Sequence, residues 1–282
     1  VKLLGIDDPF AGLPTLRKKG LRGCQYEAIT ELEKSFRSGQ NRALMVLATG
    51  AGKTYTACLA AYRMLSYTNM HRVLFLVDRN NLGKQAEAEF GTFRLTDNGE
   101  AFNTIFGVER LHSAKIPSDS NVIISTIQRL FSLLKGEPIE DNDDDDTADA
   151  DTEVSLPDNP NLPNDFFDMI IIDECHRSIY GNWRKVLEYF DTARLVGLTA
   201  TPIPETMAFF KNRIVNYTLE NSIVDGVNVD HRVYRIKTEA TENGGAILKG
   251  EHVKVETRYT GKTEEVSNRE TRNYTKTELN RS

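Results

Sequence analysis

Five short apolar runs punctuate the chain: Ala43–Leu47, Val73–Val77, Val122–Ile124, Met169–Ile172 and Leu195–Leu198. Each is continuous rather than alternating, the pattern of a strand buried on both faces. Between the runs, apolar residues recur at helical spacing. Gln25–Phe36 carries Ala28, Ile29, Leu32 and Phe36 along one side. The same spacing predicts helices over Thr54–Leu65, Leu82–Phe90, Ile127–Leu134, Trp183–Phe190 and Glu205–Lys211. Buried strands separated by helices predict an α/β fold with a mainly parallel sheet flanked by helices.

Three stretches depart from this rhythm. Residues 1–20 are rich in Gly, Pro and Lys and read as a linker. Gly136–Asp168 contains four consecutive aspartates, Asp143 to Asp146, and the breakers Leu156-Pro157 and Asn159-Pro160. It reads as an acidic, disordered surface insertion between a helix and the next strand. From His231 onward only 13 of 52 residues are apolar. His231–Thr238 and His252–Tyr259 alternate like strands around the turn residues Asn243-Gly244-Gly245, so a β-rich C-terminal tail is expected over residues 231–282.

Charge changes the picture once it is divided along the chain. The net charge is -6 over 282 residues, but residues 137–165 hold 12 acidic side chains and no basic one. Without them, 29 acidic residues face 35 Lys and Arg, so the body is mildly basic and compatible with a polyanionic partner. No run is long enough to span a membrane, and no signal peptide opens the chain. Three scattered cysteines, Cys24, Cys58 and Cys175, suit a reducing, cytoplasmic setting and read as buried apolar residues. The first residue is Val1, which suggests a piece of a longer protein.

The chemistry follows the apolar runs. After the first comes Thr49-Gly50-Ala51-Gly52-Lys53-Thr54. A Gly-rich turn between a strand and a helix aims backbone N–H groups at phosphates. Lys53 adds a positive charge, and the Thr54 hydroxyl is a Mg²⁺ ligand in such loops. After the fourth run comes Asp173-Glu174-Cys175-His176. There Asp173 is expected to hold Mg²⁺, and Glu174 to take the proton of the attacking water. A metal site on Cys175 and His176 is disfavoured, because neighbouring strand residues point to opposite faces. After the fifth run comes Thr199-Ala200-Thr201-Pro202.

This order of motifs resembles the first motor domain of superfamily 2 helicases and translocases. The resemblance implies a RecA-like domain over residues 21–230, using ATP and Mg²⁺. It places Gln25 in an adenine-reading segment, where Cys24 stands in place of the usual aromatic residue. It makes Arg79, in Val77-Asp78-Arg79, and Thr126, in Ser125-Thr126-Ile127-Gln128-Arg129, contacts to DNA phosphates. It makes His176, Thr199 and Thr201 coupling residues. Val77-Asp78-Arg79-Asn80, residues 173–181, Trp183-Arg184 and Leu187-Glu188-Tyr189-Phe190 further resemble the motor subunit of type I restriction enzymes. That implies a double-stranded DNA translocase working with modification and specificity subunits in the cytoplasm. The alternative is another superfamily 2 machine, such as a repair or RNA helicase. The same family has an upstream nuclease domain and a second motor domain with an arginine finger. Arg269 and Arg272 have the finger's spacing but not its context, so the tail is expected to lead toward that second domain.

Overall fold

The computed structural model describes residues 8–94, 99–112, 116, 119–137, 156, 159–230, 245–250, 252–256, 263–267 and 270–275. They fall into two compact units, Val1–Val229 and Asp230–Ser282.

The first unit is built on a seven-stranded sheet. In chain order it runs α1 (Gly23–Arg37), β1 (Arg42–Leu47), α2 (Lys53–Tyr67), β2 (Val73–Val77), α3 (Asn80–Thr92), α4 (Phe102–Ile105), β3 (Gly107–Arg110) and β4 (Ser120–Thr126). It continues through α5 (Ile127–Lys135), β5 (Met169–Ile172), α6 (Gly181–Tyr189), β6 (Arg194–Thr199), α7 (Pro204–Phe210), β7 (Arg213–Tyr217) and α8 (Leu219–Val224). The strand order is β3-β4-β2-β5-β6-β1-β7, and every pairing is parallel.

The continuous apolar runs are continuous because both faces of the sheet are covered. Ala43, Met45, Leu47, Phe75, Ile124 and Ile171 join the core with α1, α2 and α3. Their immediate neighbours Leu44, Val46, Leu74, Ile123, Ile170 and Ile172 join a second core with α5, α6 and α7. Alternate residues of one strand thus feed opposite layers. Phe75 is 1% exposed and packs edge-on against Phe90. Truncating such a ring to alanine costs about 3–5 kcal/mol.

The edge strands escaped the sequence pattern for a physical reason. β3 is short and only half covered, and β7 alternates exposed Arg213 and Asn216 with buried Val215 and Tyr217. Neither offers a continuous apolar run. Residues 8–20 contain no helix or strand, yet Phe10, Leu13 and Leu16 are buried in the first core. The carbonyl of Phe10 accepts from Arg37, and that of Pro14 from Arg63, which also pairs with the buried Glu33. This segment is a strap over the domain rather than a free linker.

The acidic insertion is also not uniform. Residues 138–155 and 157–158 lie outside the described residues. Beyond them, Leu162 and Phe167 are both 1% exposed. Asn159 donates to the Leu133 carbonyl at 3.1 Å, and the Tyr189 hydroxyl donates to that of Leu162 at 2.9 Å. The C-terminal part of the stretch therefore belongs to the second core.

In the second unit, β8 (Gly245–Ile247) pairs antiparallel with β11 (Arg272–Tyr274), and β9 (His252–Glu256) with β10 (Thr263–Ser267). The strand expected over His231–Thr238, and the turn residues Asn243 and Gly244, lie outside the described residues.

Candidate active site

The site gathers at the C-terminal ends of the strands. β1 ends at Leu47 and α2 begins at Lys53, with the glycine loop between. Gly50 and Gly52 sit at φ 80° and 88°, a region that L side chains avoid. A Cβ on Gly52 would also fall 2.5 Å from Gln25 Nε2, so any side chain there would displace the Gln25 amide from the loop. The first turn of α2 has no side-chain cap, which leaves its N–H groups to an anion.

Three donors hold the loop from outside. Asn228 Nδ2 donates to the Thr49 carbonyl at 2.8 Å, Arg22 to that of Gly50, and Gln25 Nε2 to that of Ala51 at 3.3 Å. In a trans peptide the next N–H points the opposite way. The Gly50 and Gly52 N–H groups therefore face away from Asn228 and Gln25. Gln25 itself is 6% exposed and locked by its Oε1, which accepts the Arg22 N–H at 3.0 Å. The P-loop residues were legible in the sequence. Asn228 was not: it lies far along the chain and in no motif.

Two strands away, β5 delivers the carboxylates. The Asp173 N–H donates to the Leu76 carbonyl at 2.8 Å, so the strand end is fixed against β2. Glu174 then turns at φ 44°, an uncommon conformation for a side-chain-bearing residue. A 3₁₀ turn over Cys175–Arg177 follows. Between β5 and β1, Gly197 of β6 makes room for that turn: a Cβ there would meet Cys175 Sγ at 2.9 Å and the Phe210 ring at 2.5 Å. Cys175 is fully buried, and burial pushes its thiol pKa up, so it is packing and not a nucleophile.

The loop and the carboxylates meet. Lys53 Nζ lies 3.1 Å from Glu174 Oε1. Burial first, then the neighbouring Glu174 charge, raises the Asp173 pKa to about 6, against the opposing pull of Lys53. An anion held this unfavourably is stabilised by a nearby cation. The oxygen donors of Asp173 and Thr54 suit Mg²⁺, which takes few protein ligands and completes its shell with phosphate and water. Among the described residues no cluster of three or more His, Cys, Asp or Glu exists that could cage a metal alone.

The residues expected to serve coupling also converge. His176 Nδ1 and Thr199 Oγ1 share a hydrogen bond of 3.0 Å, and Thr199 Oγ1 accepts the Thr201 N–H at 3.1 Å. The two residues assigned to DNA differ from each other. Arg79 is exposed at the start of α3, with Nε 3.7 Å from Asp78 Oδ2. Thr126 is 2% exposed, and its hydroxyl caps α5 by accepting the Arg129 N–H at 3.3 Å. They share one rim of the sheet, since Val77 and Thr126 are register partners in β2 and β4.

A glycine loop joined through Lys53 to an Asp-Glu pair, on a parallel sheet with helices on both faces, defines a helicase-type P-loop domain. Residues 18–204 match the family described as "Type III restriction enzyme, res subunit", and the chain belongs to that family. It is 31% identical over 267 residues to the type I restriction enzyme EcoKI endonuclease subunit of Escherichia coli K12, covering 86% of this chain and 20% of the relative. It is 32% identical over 244 residues to the EcoAI endonuclease subunit of Escherichia coli, covering 83% and 26%. The chain thus spans only a minor part of these relatives. Among solved structures, a fragment of an HsdR subunit of a type I restriction enzyme from Vibrio vulnificus YJ016 superposes with a TM-score of 0.52 at 28% identity, covering 79% of this chain and 35% of that one.

Proposed function

We propose that this chain is the first motor domain of an ATP-driven double-stranded DNA translocase within a type I restriction enzyme. The contact that carries the reading is the Lys53–Glu174 pair at 3.1 Å, which brings the phosphate loop and the proton acceptor together. Bound ATP–Mg²⁺ supplies the scissile phosphate bond and the charge that neutralises it. Gln25 and the loop Thr49-Gly50-Ala51-Gly52 orient the nucleotide, and Lys53 binds its phosphates. Thr54 and Asp173 hold the metal. Glu174 orients water and accepts its proton. His176, Thr199 and Thr201 transmit the state of this site to the neighbouring motor domain. Arg79 contacts the DNA backbone, while Thr126 sets the start of α5 on the same rim.

The working assembly includes modification and specificity subunits and acts in the cytoplasm. No helix among the described residues is long and apolar enough to cross a membrane. The restriction-enzyme relatives favour this reading over a repair or RNA helicase. Its test is ATP turnover by the full-length subunit in its complex, with and without duplex DNA. Duplex is expected to stimulate turnover, and Glu174→Gln to retain ATP binding while losing hydrolysis by roughly 10² to 10⁴. Normal hydrolysis by Glu174→Gln would remove the proton-accepting role. Stimulation by single-stranded RNA in place of duplex DNA would remove the translocase assignment.

A further inference from the structure

Asp78 stands between the nucleotide site and the DNA rim. It follows Val77 at the end of β2. Its Oδ2 lies 2.5 Å from an Nη of Arg177 and 3.7 Å from Nε of Arg79. Arg177 closes the 3₁₀ turn that begins directly after Glu174. Arg79 is the exposed cation at the start of α3. One carboxylate oxygen is therefore shared by a guanidinium on the DNA rim and another on the hydrolytic turn.

The exposures make this a sharing that can change. The Arg79 and Arg177 side chains are 54% and 39% exposed, but Asp78 only 18%. The carboxylate stays while the more exposed Arg79 guanidinium can swing into water or onto another anion. Arg177 and Asp78 also form one wall of an open cleft of about 480 Å³ that reaches His176 and Gln128. Below them the scaffold is fixed, because Leu76 and Ile172 are register partners and Asp173 N–H donates to the Leu76 carbonyl. Movement at this junction is left to the turns above the strand ends.

We propose that Asp78 and Arg177 are positioning residues that relay engagement of a phosphate backbone at Arg79 to Glu174. The inference rests on the reading of Arg79 as a phosphate contact. A phosphate oxygen competes with Asp78 for Arg79. Once Arg79 turns outward, the charge of Asp78 acts on Arg177 alone, and the turn that bears Arg177 is held more firmly to the end of β2. That turn begins directly after Glu174, so the change in its tether is felt at the 3.1 Å pair of Glu174 with Lys53. Freed from Lys53, the carboxylate is available to water.

The test uses the full-length motor subunit in its complex, with a duplex carrying a recognition site. Turnover is measured without DNA and at saturating DNA, and duplex affinity separately by anisotropy. Asp78→Asn and Arg177→Gln are expected to leave turnover without DNA and duplex affinity within about 3-fold of the unmodified complex, while the stimulation by DNA falls roughly 5- to 30-fold. Arg177→Lys keeps the charge pair and is expected to retain most of the stimulation. Full stimulation in both neutral variants overturns the relay. So does a loss that merely tracks weaker DNA binding, or one shared equally by turnover without DNA. If the unmodified complex shows no stimulation by duplex, the proposed function falls together with the relay. Stimulation that persists in both neutral variants removes the relay alone.

Discussion

Asp168 and Asp173 stand at opposite ends of the same four-residue strand, β5. Asp168 Oδ2 accepts the His71 and Arg72 N–H groups at 2.8 and 2.9 Å, and its carbonyl accepts from Arg194 at 2.9 Å. Arg194 in turn lies over the rings of Phe10 and Phe36. Every partner there is supplied by the fold. At the other end, Asp173 accepts one short-range N–H, from Glu174, and is pushed to about 6 by burial and by the Glu174 charge. Glu174 is held in an uncommon backbone conformation beside it. One strand thus carries a carboxylate whose hydrogen-bond acceptors are filled by the fold and a carboxylate with a single short-range N–H donor beside Lys53. The second kind is the mark of a candidate functional site, because a carboxylate raised by burial and a like charge is the kind of group that a bound cation stabilises.

The strongest way to break this comparison is to remove the site's own cation. Lys53→Ala is expected to lower ATP turnover in the full-length subunit by about 10² to 10³, the range lost when a single charge-stabilising group is removed from a transition state. The melting temperature should change little, since Lys53 pairs with a partly exposed carboxylate. Turnover within tenfold of the unmodified protein would show that the cradle does not bind phosphate through Lys53.

The opposite end should give the reverse pattern. Asp168→Ala strips the acceptor from two N–H groups, which costs about 2–3 kcal/mol after water replaces part of the bonding. For a domain of this size that lowers the melting temperature by about 4–12 °C. Asp168→Asn keeps one carbonyl acceptor and should lose about half as much. In the assembled enzyme, KM for ATP should stay within about twofold for both. A large KM effect with no melting shift would mean that the two ends are not separable.

What was legible in the chain follows the same division. The strands showed as continuous apolar runs because two layers of helices cover them. The phosphate loop and the Asp-Glu strand end showed because their chemistry needs adjacent residues at fixed spacing. The carbonyl-holding Asn228 and Arg22, and the Asp78–Arg177 pair, are assembled by the sheet order from distant positions, and no local pattern announces them. The strap through Phe10, Leu13 and Leu16 was hidden by its Gly, Pro and Lys neighbours, which disguise three buried side chains as a linker. Thr126 was visible as a residue type, but only the packing showed its hydroxyl committed to Arg129.

The smallest expected effect sharpens the comparison most, because its sign is unusual. A carboxyl whose pKa folding raises binds its proton more tightly in the native state. For Asp173 the ordinary value is 3.8 and the folded value about 6. Between these values the native protein holds more protons than the unfolded chain, so the stability from this group is full below 3.8 and is lost as pH rises through about 6. Asp173→Asn is neutral throughout and escapes the loss. Measured without nucleotide and with a chelator present, Asp173→Asn should match the unmodified protein near pH 4. By pH 7.5 it should be about 1–2 kcal/mol more stable, a fraction of the full linkage because water still reaches the group. That difference corresponds to a melting temperature a few degrees higher, about 2–8 °C. The same variant should fail to hydrolyse ATP in the full-length subunit. Unfolding curves from pH 4 to 8 decide the matter: a stability difference that does not change with pH, or one that favours aspartate at pH 7.5, would mean that Asp173 is as well completed by the protein as Asp168.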